Sequence, residues 1–150
     1  MSEEVQQSFG IQKIYTKDVS FESPNSPAIF THEFQPQLSV DLNVESKQLQ
    51  DDVYHVVLRV TATTKVEENT AFLCEVEQAG IFTLAGFNEA ELSYMLGVQC
   101  PNALFPYARE AVSDLVTRGG FPQLLLEPVN FEAMYASHMQ QQAEENTTEQ

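Results

Sequence analysis

Three histidines, two cysteines and two adjacent pairs of acids are the side chains of this sequence whose chemistry could serve catalysis or metal binding. His32, His55 and His138 are scattered, with no His-x-x-x-His or Glu-plus-His spacing of the kind that lets one helix face grip a metal. Cys74 and Cys100 do not form a Cys-x-x-Cys pair, and no glycine-rich phosphate loop is present. Cys74 falls on the inward parity of a strand and reads as a small core residue. Cys100 precedes Pro101 at a helix entry, where a thiolate is favoured, but no general base accompanies it. The pairs Asp51-Asp52 and Glu67-Glu68 sit in turns as solvated charge. The sequence therefore offers no catalytic residue, no metal site and no cofactor site.

The charge balance narrows the partners. Asp and Glu number 22 against 7 Lys and Arg, a formal net charge of -15. Duplex nucleic acid demands a cationic footprint to displace counterions, and an anionic membrane surface demands the same, so both are excluded on this balance. Basic protein surfaces and apolar or basic polypeptides are drawn to such a chain. No window approaches the roughly 18 apolar residues of a membrane span. The start, MSEEVQQSFG, is acidic where a signal peptide is basic and then apolar. With two cysteines expected to stay reduced, the reading is a cytoplasmic protein.

The elements that carry these residues follow from periodicity. Phe9 to Phe21 reads as a strand with Ile11, Tyr15, Val19 and Phe21 on one parity, interrupted by Ile14. Glu22 to Pro36 is a proline-rich loop whose Ile29, Phe30 and Phe34 either dock on the core or cover something. Gln37 to Glu45 alternates cleanly, with Leu38, Val40, Leu42 and Val44 inward, and Ser46 to Asp52 turns the chain. Val53 to Lys65 follows, with Tyr54, Val56, Leu58, Val60 and Ala62 inward. In Thr70 to Gln78, Phe72, Cys74 and Val76 point in while Leu73, Glu75 and Glu77 point out. Gly80 marks a bulge or bend before Ile81 to Phe87 continues the strand. These strands form an antiparallel meander to which the Phe9 segment adds a fourth.

Asn88 caps a short helix that Gly97 ends. Asn102 to Arg118 is a long helix with Leu104, Tyr107, Ala108, Ala111, Val112, Leu115 and Val116 on one stripe. Pro106 is expected in its first turn, and Gly119 and Gly120 supply the left-handed cap. Phe121 to Val129 is extended. A last helix capped by Asn130 carries Phe131, Met134, Tyr135, His138 and Met139 on one face, and residues 143–150 form a disordered acidic tail. The fold class is α+β: one domain over residues 1–142, a four-stranded antiparallel sheet with helices on one face. Two apolar helix faces exceed what one sheet can cover, so part of that surface meets another subunit.

The blocks IYTKDVSFE, DDVYHVVLRVT, TAFLCEVEQAGIF, CPNALFPYARE and RGGFPQLLLEPVNFEAMY, in that order over about residues 11–142, resemble the SecB family of protein-export chaperones. The resemblance implies an ATP-independent holder of unfolded precursor proteins that delivers them to the SecA motor, built as a homotetramer, a dimer of dimers. It implies a client groove between the extended loop, the sheet and the C-terminal helix. The matching residues are Phe21, Ile29, Phe30 and Phe34, with Leu124, Leu126, Met134, Tyr135 and Met139. For SecA, whose docking segment is basic and carries its own zinc, the family positions correspond to Asp18, Glu22, Leu73 and Glu75. The long helix lies between dimers in that family, which gives Leu104, Tyr107, Ala111 and Leu115 an oligomer interface. Phe34 stands where well-known members carry tryptophan. A chaperone of the same kind dedicated to one antitoxin, or a small-molecule enzyme with a cavity between sheet and helices, would be the alternatives.

Overall fold

The computed structural model describes residues 6–148. The alternating segments form four long antiparallel strands, β1 (Ser8–Glu22), β2 (Pro36–Gln50), β3 (Val53–Val66) and β4 (Asn69–Ala85), in the spatial order β1-β4-β3-β2. The meander β2-β3-β4 is the expected one, and β1 returns to pair with β4. Helices α1 (Glu89–Tyr94), α2 (Cys100–Arg118) and α3 (Phe131–Thr148) follow. The core lies between α2 and the sheet, where Val56, Leu58, Val60, Ala62, Cys74, Val76 and Phe82 meet Leu104, Ala108, Val112 and Val116.

Sequence and structure differ at several places, each with a physical reason. In β1 the pairing register slips between Ile11 and Lys13 and again between Thr16 and Asp18, which marks Gln12 and Lys17 as the extra residues of two bulges. Each bulge changes the parity. Ile14 therefore shares the helix-facing side with Phe9, Ile11, Val19 and Phe21, while Tyr15 turns to the opposite face. Gly80, expected at a bulge, keeps regular pairing with both Ile14 and Val56. Its role is close approach: a Cβ there would lie 2.8 Å from the Phe82 ring and 3.1 Å from Leu104 Cδ2, so glycine lets α2 sit down on the sheet. Strand β2 runs on through Gln50, and the turn shrinks to Asp51 and Asp52, with Asp52 at φ 62.

The helices also differ from expectation. Gly97 does not end α1. A π-helical turn, Met95–Gln99, carries the chain straight into α2, which starts at Cys100. Pro101 takes the early position, and Pro106 lies inside α2. The hydrogen bond it cannot make would have gone to Asn102, and both residues are exposed, so the gap lies on the solvent side. Gly120 takes the left-handed conformation (φ 92) after the helix, whereas Gly119 stays right-handed. Helix α3 is longer than the sequence suggested and continues through Thr148; the last two residues of the expected tail lie outside the described ones. Ala143, Glu144 and Glu145 are ordinary helix formers, which composition alone had assigned to a disordered end.

Candidate functional site

Helix α2 covers β3 and β4, which leaves the helix-facing side of β2 open. Leu38 is 45% exposed and Val40 39%, although their parity is inward, and Leu42 and Val44 are only partly buried. Beside Leu42 and Val44 a cleft of about 550 Å³ opens, walled by Leu92 and Leu96 on one side and by Met134, Tyr135 and His138 of α3 on the other. Asn130 starts α3 by accepting a hydrogen bond from Ala133 N at 3.0 Å. The buried Phe131 ring packs edge-on against Phe105, 6.0 Å between centroids. Tyr135 fixes the wall: its hydroxyl donates to Ser93 Oγ at 3.0 Å and its ring lies edge-on to Tyr94. A Cβ at Gly97 would come within 2.7 Å of that ring, so glycine in the π turn makes room for the wall.

Beyond the other end of the open strand face is an aromatic cluster. Phe121, 5% exposed, is its hub, with ring centroids 5.0 Å from Phe72, 5.1 Å from Phe30, 6.2 Å from Phe34 and 6.4 Å from Phe21. The loop that brings Phe30 and Phe34 here is tied to the start of β4. Ser23 Oγ donates to the Ala71 carbonyl and Asn25 Nδ2 to that of Thr70. Cleft, open strand and aromatic cluster share one side of the sheet.

Several groove residues expected from the sequence lie here. Phe21, Phe30, Phe34, Met134, Tyr135 and Met139 are exposed or half-buried, and Leu124 is half-buried. Ile29 (4% exposed) and Leu126 (6%) instead belong to the core, so the loop docks through Ile29 and offers Phe30 outward. Leu104 is likewise fully buried by its own sheet and is not free for a partner. Tyr107, 52% exposed, and the partly covered Ala111 and Leu115 form the open flank of α2. Sequence reasoning missed Leu42, Val44, Leu92, Leu96 and Phe121. The signal for the first two was present, since the alternation of β2 gave more inward apolar residues than one helix can cover.

The opposite face of the sheet is charged, and the strand register lays it out in rows. Asp18, Glu77, Arg59 and Asn43 make one row; Ser20, Glu75, Thr61 and Asp41 the next; Glu22, Leu73, Thr63 and Ser39 a third. Arg59 is tied down by Glu77 (Nη2 to Oε1, 2.7 Å) and lies 3.7 Å from Glu75. Asp18, Glu22, Leu73 and Glu75 thus share this face. At the other end Tyr15 and His55 are joined hydroxyl to Nε2 at 2.6 Å.

Neither cysteine is poised for chemistry. Burial pushes the Cys74 thiol up to about 11 and the Cys100 thiol up to about 12. Native protein at pH 8 should leave a thiol-disulfide reagent unconsumed, and both thiols should react once urea unfolds the chain. Above about pH 9 the unfolded chain ionises its thiols while the folded one does not, so stability should fall as pH rises from about 9 toward 12. Urea midpoints at pH 8 and pH 10 check this. Among the described residues no group of three or more His, Cys, Asp or Glu could hold a metal, and no helix is long and apolar enough to cross a membrane.

A predominantly apolar cleft running into an open apolar strand, backed by a charged face, defines a surface suited to apolar chain segments. Comparison with known proteins agrees. The family described as preprotein translocase subunit SecB matches residues 2–142. The protein-export protein SecB of Hydrogenovibrio crunogenus is 75% identical over 145 residues, covering 96% of this chain and 97% of the relative. The SecB-like chaperone of Mycobacterium tuberculosis, solved with a ChAD peptide from the HigA1 antitoxin, shares the fold at TM-score 0.67 and 18% identity, over 81% of this chain and 91% of that one. The chain belongs to the SecB family, and its role is that of a protein-export chaperone.

Proposed function

We propose that the chain holds unfolded precursor proteins along the apolar side of its sheet and presents them to the SecA motor from the charged side, as a cytoplasmic dimer of dimers. The observation that carries this reading is the continuity of the apolar surface: the cleft at Leu42 and Val44, the open residues Leu38 and Val40, and the aromatic cluster around Phe121. An extended client can place alternate side chains along such a surface and add main-chain hydrogen bonds. Methionine and aromatic walls repack around varied side chains, which suits capture without a sequence motif. Several weak subsites on one long client raise avidity by about 10²- to 10⁴-fold over a single one. Folded proteins hide such segments, so slow-folding precursors are the selected clients.

The exposed flank at Tyr107, Ala111 and Leu115 supports assembly through α2, since an apolar helix edge of this kind is rarely left in water. The shared face of Asp18, Glu22, Leu73 and Glu75 supports docking of a basic segment of SecA around an apolar centre. High identity to a protein-export protein favours this role over that of a chaperone dedicated to one antitoxin. Micromolar protein without nucleotide should slow the aggregation of a slow-refolding client, measured by light scattering; unchanged scattering would refute the holding role. Glu75→Lys should weaken SecA binding at least tenfold in a low-salt titration and leave client holding intact. Equal loss of both activities would trace to misfolding instead.

A further inference from the structure

Two of the 7 basic residues of this strongly acidic chain, Lys13 and Lys47, lie at one end of the charged sheet face, and a third, Lys17, lies between that end and the Asp18 row. Register places Lys13, Ile81, His55 and Lys47 in one row across all four strands. With neighbouring strands about 4.8 Å apart, the two end lysines of the row lie about 14 Å from each other. Lys17 is the extra residue of the bulge just before Asp18, and its charge still reaches His55.

Among the described residues these cations have no ion-pair partner. Arg59 and Arg118 have carboxylate partners, whereas no described carboxylate forms an ion pair with Lys13, Lys17 or Lys47. Tyr15 stands beside His55 in the next row, with its hydroxyl on the imidazole and the two rings stacked 5.9 Å apart. Burial first, then the ammonium groups of Lys17 and Lys47, holds the pKa of His55 below its ordinary value, which favours the neutral ring. The charged groups facing it are Lys13 and Lys17 on β1, Lys47 on β2, and Glu45 one row away on β2. The Glu77 and Arg59 row is four residues along β4 from Ile81, about 13 Å away, beyond the roughly 10 Å over which charges act at 0.1 M salt.

We propose that the row of Lys13, His55 and Lys47 is a docking site for a short acidic segment of a partner polypeptide. An extended peptide rising about 3.3 Å per residue spans the row with about five residues, enough to set a carboxylate on each end lysine. Length decides among anions. A nucleic acid strand or a membrane plane would continue over Asp18, Glu77 and Glu75 and be repelled, while a short peptide stops before them. The site stands apart from the SecA reading, because it uses the other end of the face and the opposite charge.

The test uses the full chain with capped hexaglutamate as probe, at 0.1 M salt, by calorimetry and by the histidine ring signals in NMR. Binding should raise the pKa of His55, because a bound carboxylate favours the imidazolium, and leave His32 and His138 unmoved. Lys13→Glu combined with Lys47→Glu should weaken binding at least tenfold. Both positions are exposed, so circular dichroism and client holding should not change. Unaltered affinity in the double variant, or equal shifts at all three histidines, would overturn the site. Tight binding of single-stranded RNA or phosphatidylglycerol vesicles, lost in the same variant while hexaglutamate does not bind, would overturn it in favour of those anions.

Discussion

Leu42→Asp should all but abolish client holding while the protein stays folded. Leu42 lies on the helix-facing side of β2, beside the cleft shared by Leu92, Leu96, Met134 and Tyr135, and it is only partly buried. A carboxylate there keeps water in the free protein, so the native state pays little for it. A bound client would have to strip that water. Losing one well-buried apolar contact removes about 1.5–3 kcal/mol, and desolvating an unpaired carboxylate adds to the penalty. Together these correspond to at least a tenfold loss at this subsite, multiplied along a client that needs several. Light scattering of an aggregating client reports the loss, and a urea titration reports the fold. Full holding activity in a folded variant would remove the cleft from the mechanism.

The second large effect is expected in the core of the same helix layer. Leu104→Ala should cost about 2–5 kcal/mol, out of a total near 5–15 kcal/mol for a domain. Leu104 is 0% exposed and its Cδ2 sits 3.1 Å from where a Cβ on Gly80 would be, so it packs directly on the sheet and its truncation leaves a hole there. Tyr107→Ala, three residues on and half in water, provides the contrast. It should leave the intrinsic packing of the subunit intact and shift the oligomer toward smaller species, read by native mass spectrometry. Urea midpoints at one fixed protein concentration compare the two variants, since subunit dissociation would otherwise enter the measurement. An unchanged midpoint for Leu104→Ala would contradict the packing described for α2 and the sheet.

Much of this architecture was legible in the residues. Strands β2, β3 and β4 announced themselves by alternation, and Asn88 and Asn130 by their side-chain caps. What escaped was wherever three-dimensional contact overrode the local pattern. Bulges at Gln12 and Lys17 carry no residue signature, so the parity of β1 was misread between them and Tyr15 was set on the wrong face. Gly97 looked like a stop because glycine usually is one; here the Tyr135 ring above it explains the residue. Ser46 to Gln50 is polar apart from Leu49 and reads as a turn, yet β3 extends far enough to pair with it. The candidate site was half visible. Aromatic residues on a proline-rich loop flagged one end, but the cleft needed the knowledge that α2 lies over β3 and β4 and leaves β2 bare.

That a single sheet divides the apolar side from the charged side has a consequence for the order of events. With client and SecA on the opposite faces proposed above, neither would crowd the other out, because four strands of backbone stand between them. On that proposal, arrival of the motor would not have to wait for departure of the cargo, and a three-party complex would be a natural waystation rather than a traffic conflict. Release then becomes a question of competition for the cargo itself, settled by which holder grips the chain longer.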